Sequence, residues 1–317
     1  MKQNMLNKKS GLKPGEIVSL KYDRAFKIMY GDENHIEILT MLLSKILEVD
    51  YNDLEGNITL LPLNVSNQTI GEKRAERDVV VSVKTDDEYR IILEVNVKKD
   101  FYESVINRNI YYTFDVSKKV LEGEDYINID ITFLVNFNTF FINSERKKVF
   151  DEYLLRNEEG DILTKKYKVL NINIEECYNL WYDNKYQGKF GLYEEDLMLL
   201  CASMCVEKEE DFRGILELVR MKPEIKKLIE GVLDNMNKDS DLVSGYYNWK
   251  EENDKMNRSI INEVKEKSIQ EGIKRKEKEV VINMYKKKYS VEEIGEIIGL
   301  SFEQVTEIIN IFKDDIN

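Results

Sequence analysis

The chain has 317 residues, 47 basic against 60 acidic, and a formal charge of −13. Its 42% apolar content supports a substantial core and argues against wholesale disorder. No run of 18 or more apolar residues occurs, which excludes a membrane-spanning helix. The acidic total excludes a surface that grips nucleic acid all over, but it leaves room for local basic patches, because phosphate responds to local potential.

The opening residues, MKQNMLNKKS, are basic and lack an apolar stretch, so they do not read as a secretory signal. Cys177, Cys201 and Cys205 are too few for a disulfide framework and fit a reducing cytoplasm. Cys201 and Cys205 stand one helical turn apart and read as core residues. With His35 as the single histidine, His-based triads and His-rich metal sites are excluded. Neither GxGxxG nor GxxxxGK[ST] occurs.

In chain order, Asp23 precedes RAFKIMY, a short helical turn that it would cap. Apolar residues at 36, 38, 39, 42, 43, 46 and 47 predict an amphipathic helix over 35–48. Residues 58–65, 77–84 and 89–97 read as strands, the last two joined by a polar turn at 85–88. A helix over 101–121 and a strand over 129–137 follow, then a hairpin over 150–174 turning near 158–161. The order predicts an α/β fold, a mixed sheet flanked by helices, with an α-helical C-terminal region from residue 194. The expected division is 16–190, a helical extension over 191–250, and a charged helix with a helix-turn-helix-like end over 251–317. In that end, Ser290 and Ser301 are placed to cap two short helices around Gly299.

The residues with chemical potential lie in the hairpin over 77–98. With a three-residue turn at Asp86–Glu88, Asp78 faces Asn96, and Glu94 is its diagonal neighbour. Asp78, Glu94, Asn96 and Lys98 then share one face, and Val79, Val81, Leu93 and Val95 the other. Diagonal neighbours have β-carbons roughly 7–8 Å apart, within reach of one bridging cation. An acid inside IILEVNV must be paired, exposed or holding a cation. Oxygen ligands suit Mg²⁺ or Mn²⁺, and such an ion can activate water against a phosphodiester. A hairpin with one wet face, its acids pointing into water, satisfies the same spacing.

The motifs taken together are more specific. Asp23-Arg24-Ala25-Phe26-Lys27, Lys73-Arg74-Ala75-Glu76-Arg77-Asp78-Val79, Ile92-Leu93-Glu94-Val95-Asn96 and Arg108-Asn109-Ile110-Tyr111-Tyr112 occur in this order. Over about residues 16–140 the chain resembles the Rpn recombination-promoting nucleases, a transposase-like family of the PD-(D/E)XK superfamily. The resemblance implies a restriction-endonuclease-like fold and a metal-dependent DNA endonuclease linked to recombination or mobile DNA. In it Asp78 and Glu94 would hold the divalent ion with the Val95 carbonyl, and residue 96 would orient the attacking water. Asn96 stands where the family has Gln and the wider superfamily Lys, and Lys98 on the same face is the expected source of the missing charge.

Asp23 and Arg108 are expected as accessory residues, Arg108 reaching phosphate or tying its helix to the sheet acids. Tyr111 and Tyr112 read as packing residues. In 273–288, seven Lys or Arg face two Glu, so Lys274, Arg275, Lys276, Lys286, Lys287 and Lys288 are the expected DNA contacts. The final helix is poor in Arg and Lys, which favours self-association over base reading there.

Overall fold

In the computed structural model, which describes residues 11–62, 77–97, 102–116, 129–143 and 145–314, the apolar stripe over 35–48 becomes a helix. Helix α1 spans Asp23–Tyr30, α2 Ile36–Ile46 and α3 Tyr51–Leu54. In α2 every residue from Ile38 to Ser44 is buried, and Ile46 as well, so the helix is enclosed on all sides and not on the single face that the apolar period predicts. The turn α3 was not expected; Asp50 creates it by accepting a hydrogen bond from the Asn52 N–H.

Strand β1 spans Ile58–Leu60, β2 Val79–Lys84 and β3 Glu88–Asn96. The expected extension of β1 over 63–65, and the motif residues Lys73 to Glu76, lie outside the described residues. Helix α4 (Tyr102–Val116) leads to β4 (Ile131–Asn138), and then come β5 (Phe150–Arg156) and β6 (Ile162–Asn173). The sheet order is β1-β2-β3-β4-β6-β5. Pairing is antiparallel for β1–β2, β2–β3 and β5–β6, and parallel for β3–β4 and β4–β6. The central strands read as nearly continuous apolar runs because helices cover both faces.

One face of the sheet carries Val79, Val81, Leu93, Val135 and Phe137 into the main core. That core is completed by α1, α2, Leu54 of α3, and α5 (Ile174–Tyr182), α6 (Leu192–Cys205), α7 (Glu209–Leu218) and α8 (Pro223–Lys238), together with Leu242, Val243 and Tyr246. Cys177, Cys201 and Cys205 are free thiols within it. The opposite face packs Val80, Ile92 and Leu134 against Tyr112 of α4.

The long helix α9 (Ser240–Lys286) is followed by α10 (Val291–Ile298) and α11 (Phe302–Asp314). Ser290 caps α10 with Glu293 in a reciprocal capping box, and Ser301 and Gln304 repeat the arrangement at α11. Gly299 ends α10 in the left-handed conformation, φ 80°, that only glycine adopts without strain. Val281, Ile294, Val305 and Ile309 form a small separate core. The chain divides into two compact units, Met1–Trp249 and Lys250–Asn317. Among the described residues, no helix is long and apolar enough to cross a membrane.

Candidate active site

The hairpin closes one residue earlier than the spacing predicts. Lys84 pairs with Glu88, so the turn is Thr85–Asp87 and not Asp86–Glu88. The register moves by two, which preserves the parity of the faces but changes the neighbours. Val79 pairs with Leu93 at the end of the ladder, and Asp78, the residue just before β2, meets Glu94 instead of Asn96.

Both acids are buried, Asp78 to 8% exposure and Glu94 to 6%. The Asp78 N–H donates to Glu94 Oε1 at 3.2 Å, and the Val95 N–H donates to Asp78 Oδ2 at 2.8 Å. A strand residue sends its N–H and C=O from the same edge, so the Val95 carbonyl leaves β3 on the side of Asp78. Burial pushes both carboxyls up. The Asp23 carboxylate adds to the effect on Asp78, and the Asp78 charge adds to it on Glu94.

Asp23 is the first residue of α1 and not its cap; Tyr22 holds the cap position. Its carboxylate instead meets Lys27, one turn on, at 3.1 Å. Lys27 Nζ also lies 3.1 Å from Asp78 Oδ1. Burial works against the Lys27 charge, but the Asp78 and Asp23 carboxylates outweigh it and raise the ammonium pKa. Gly31 lets α1 end against β2: a β-carbon there would sit 2.8 Å from the Lys27 carbonyl and 3.3 Å from Val79 Cγ2.

Asn96 is bonded into a network of side-chain amides and Arg108. Its Nδ2 donates to Asn138 Oδ1 at 3.0 Å and Asn136 Oδ1 at 3.3 Å, and its Oδ1 accepts from Arg108 at 2.6 Å. Both amide hydrogens are thus engaged, while Oδ1 accepts from Arg108 alone and keeps a second lone pair. Asn136 and Asn138 in turn donate to Asn171 Oδ1 at 3.1 and 3.3 Å. These residues register across β3, β4 and β6, and all are buried. The polar cluster therefore lies at the carboxyl ends of three parallel strands, where α/β sheets place their sites. Arg108, on α4, lies close enough to Glu94 for its charge to pull that carboxyl's pKa back down.

Lys27 stands in the sequence only as the last residue of the Asp23–Lys27 motif, with no role assigned, and Asn136, Asn138 and Asn171 were not singled out. The asparagines had a readable signal: LEVNV, LVNFN and LNINI each place polar residues two apart at the end of an apolar strand. Lys98 lies outside the described residues. Lys274, Arg275, Lys276, Lys286, Lys287 and Lys288 are exposed in the second unit. Tyr112 is buried beneath the Arg77 guanidinium, 5.2 Å from the ring centroid, whereas Tyr111 is half exposed.

Among the described residues, no group of three or more His, Cys, Asp or Glu side chains could hold a metal ion. Asp78, Glu94 and the Val95 carbonyl are oxygen donors only, which fits a hard divalent ion that keeps several waters. Lys27 brings one positive charge to this buried pair, and a divalent ion would bring more.

The family model described as PD-(D/E)XK nuclease family transposase matches residues 20–256. No curated protein and no solved structure matches the chain.

Proposed function

Because the chain belongs to the PD-(D/E)XK nuclease family transposases, we propose that it is a metal-dependent endonuclease that hydrolyses DNA phosphodiester bonds during recombination or element movement. The observation that carries this reading is the buried Asp78–Glu94 pair at the carboxyl ends of the parallel strands. Nuclease families of this class generally use divalent metal ions, and Asp78, Glu94 and the Val95 carbonyl would hold Mg²⁺ or Mn²⁺ here. The bound ion supplies positive charge to the phosphodiester and acidifies a water molecule.

The protein's own groups do the rest. Glu94 accepts the Asp78 N–H and Asp78 accepts the Val95 N–H, so the backbone fixes both carboxylates and their oxygens do not have to reorganise. Asn96 orients Arg108 beside Glu94, where a guanidinium suits a phosphate oxygen. Asp23 serves as an accessory acid through Lys27. The basic segment at Lys274–Lys276 and Lys286–Lys288 contributes non-specific attraction for DNA in the cytoplasm, and the last two helices serve self-association.

A second reading is a nuclease fold that binds nucleic acid without cutting it. It is favoured by the engagement of both ends of the Asn96 amide. Plasmid cleavage with and without Mg²⁺ or Mn²⁺ separates the two readings. Nicking that needs the ion and disappears in both Asp78→Ala and Glu94→Ala supports the nuclease. Absence of nicking by the wild type with either ion supports the non-cutting fold.

A further inference from the structure

Asp78 divides its two carboxylate oxygens between different partners. Oδ2 accepts the Val95 N–H at 2.8 Å, and Oδ1 meets the Lys27 ammonium at 3.1 Å. The same ammonium is 3.1 Å from Asp23 Oδ1, so it bridges an exposed carboxylate and a buried one. Asp78 is therefore already served by a cation, one that arrives on a helix and is separated from it by 51 positions in sequence.

The attachment of that cation is built into the fold. Phe26, one residue before Lys27, packs on Phe137 with ring centroids 5.6 Å apart and on Tyr30 at 4.9 Å. The Gly31 N–H closes the helix onto the Lys27 carbonyl at 2.8 Å. The backbone of Lys27 is thus held, while its side chain keeps 31% exposure and four rotatable bonds. An anchored base and a partly exposed tip allow the ammonium to move without the helix moving.

We propose that Lys27 is a resident, displaceable cation of the site. In the ion-free protein its ammonium occupies the Asp78 oxygen that a divalent ion requires. Ion binding releases it toward the substrate, where it supplies the positive charge that Asn96 does not carry. This rests on the reading of Asp78 and Glu94 as ion ligands. Lys27 is here a positioning and charge-supplying residue, and Asp23 is the second resting point of its ammonium.

Two consequences run in opposite directions, which a merely structural ion pair does not produce. A competitor and like charge disappears in Lys27→Met, so the ion binds more tightly. The charge offered to the substrate disappears with it, so cleavage at saturating ion falls. The test is Mn²⁺ binding to the full chain without DNA, followed by the loss of free-Mn²⁺ electron paramagnetic resonance signal. Wild type, Lys27→Met, Lys27→Gln and Asp78→Ala are compared, with circular dichroism to establish folding. Expected are a Kd about 5–10-fold lower in both lysine variants, a loss of binding in Asp78→Ala, and cleavage at saturating Mn²⁺ reduced on the order of 100-fold, the scale of one displaced catalytic group.

Unchanged or weaker Mn²⁺ binding in both folded lysine variants overturns the proposal while leaving the ion site itself standing. Mn²⁺ binding that is equal in wild type and Asp78→Ala removes the ion site and this proposal together. Binding that appears only once Lys27 is replaced supports it most directly.

Discussion

The Asp78 N–H donates to Glu94 Oε1 at 3.2 Å, across a hairpin that brings the two acids together. A buried carboxylate held this close to a second one is unfavourable as a pair of charges, and the first prediction follows from that. Burial and the neighbouring charges lift Asp78 to about 7 and Glu94 to about 8, and the two titrate as a pair. In the unfolded chain both ionise near their ordinary values of about 4. Between those limits the folded state holds more protons, so stability falls as pH rises from about 4 to 8. Glu94→Gln should stabilise the ion-free protein at pH 8 by about 1–3 kcal/mol, a tenfold change in proton affinity being worth about 1.4 kcal/mol. Urea unfolding in EDTA at pH 6 and pH 8 checks this; a wild type that gains stability with pH over that range contradicts it. Added Mg²⁺ should raise the melting temperature of the wild type and leave that of Glu94→Gln nearly unchanged.

The asparagine network acts as one unit. Asn138 accepts from Asn96 and donates to Asn171, so Asn138→Ala leaves buried amides unsatisfied at a cost of about 1–3 kcal/mol. Asn96→Ala should cost a similar amount. The double variant should cost less than the sum, with a coupling of about 0.5–3 kcal/mol. A double-mutant cycle by urea unfolding that proves additive would show that the hydrogen bonds contribute nothing jointly.

Gly31 is needed for close approach. The β-carbon of Gly31→Ala would lie 2.8 Å from the Lys27 carbonyl oxygen, a backbone atom that cannot swing aside. The end of α1 must shift, with a destabilisation of about 1–3 kcal/mol. Because the shift carries Lys27 with it, Mn²⁺ affinity should change in the same variant. A Gly31→Ala protein with wild-type unfolding midpoint and wild-type Mn²⁺ affinity would contradict this placement of α1.

The Ser290–Glu293 capping box sets the start of α10. Ser290→Ala should cost about 1 kcal/mol, which corresponds to roughly fivefold faster amide exchange in the first turn of α10. Exchange in α2 should not change. Hydrogen exchange by mass spectrometry on the full chain reads both helices at once.

Lys274, Arg275 and Lys276 are exposed on α9. If they contact DNA, replacing all three by Gln should weaken binding uniformly across sequences. It should also reduce the slope of log K against log salt by up to about 2.7, at about 0.9 per phosphate contact. Fluorescence anisotropy at several salt concentrations measures the slope, and an unchanged slope removes this segment from the DNA interface.

Read from left to right, the chain determines its elements and their faces. The period of two in RDVVVSVK and YRIILEVNV puts Asp78 and Glu94 on one face, and a register shift of two residues leaves that result intact. The period of 3.6 in residues 36–47 determines that α2 is a helix, and the Ser290 and Ser301 signals determine the starts of α10 and α11. Those properties depend on residues within a turn or two of each other, so local order is enough to specify them.

The site's connections are of a different kind. Lys27 meets Asp78 because α1 packs its Phe26 onto Phe137 of β4. Asn96 bonds to Asn136 and Asn138 because β3 and β4 lie side by side in parallel, and β6 beside β4 adds Asn171 to the network. Strand order and helix docking bring together residues with no fixed relationship along the chain. They are set by burial of the whole core, and only the tertiary structure decides which polar groups then face one another.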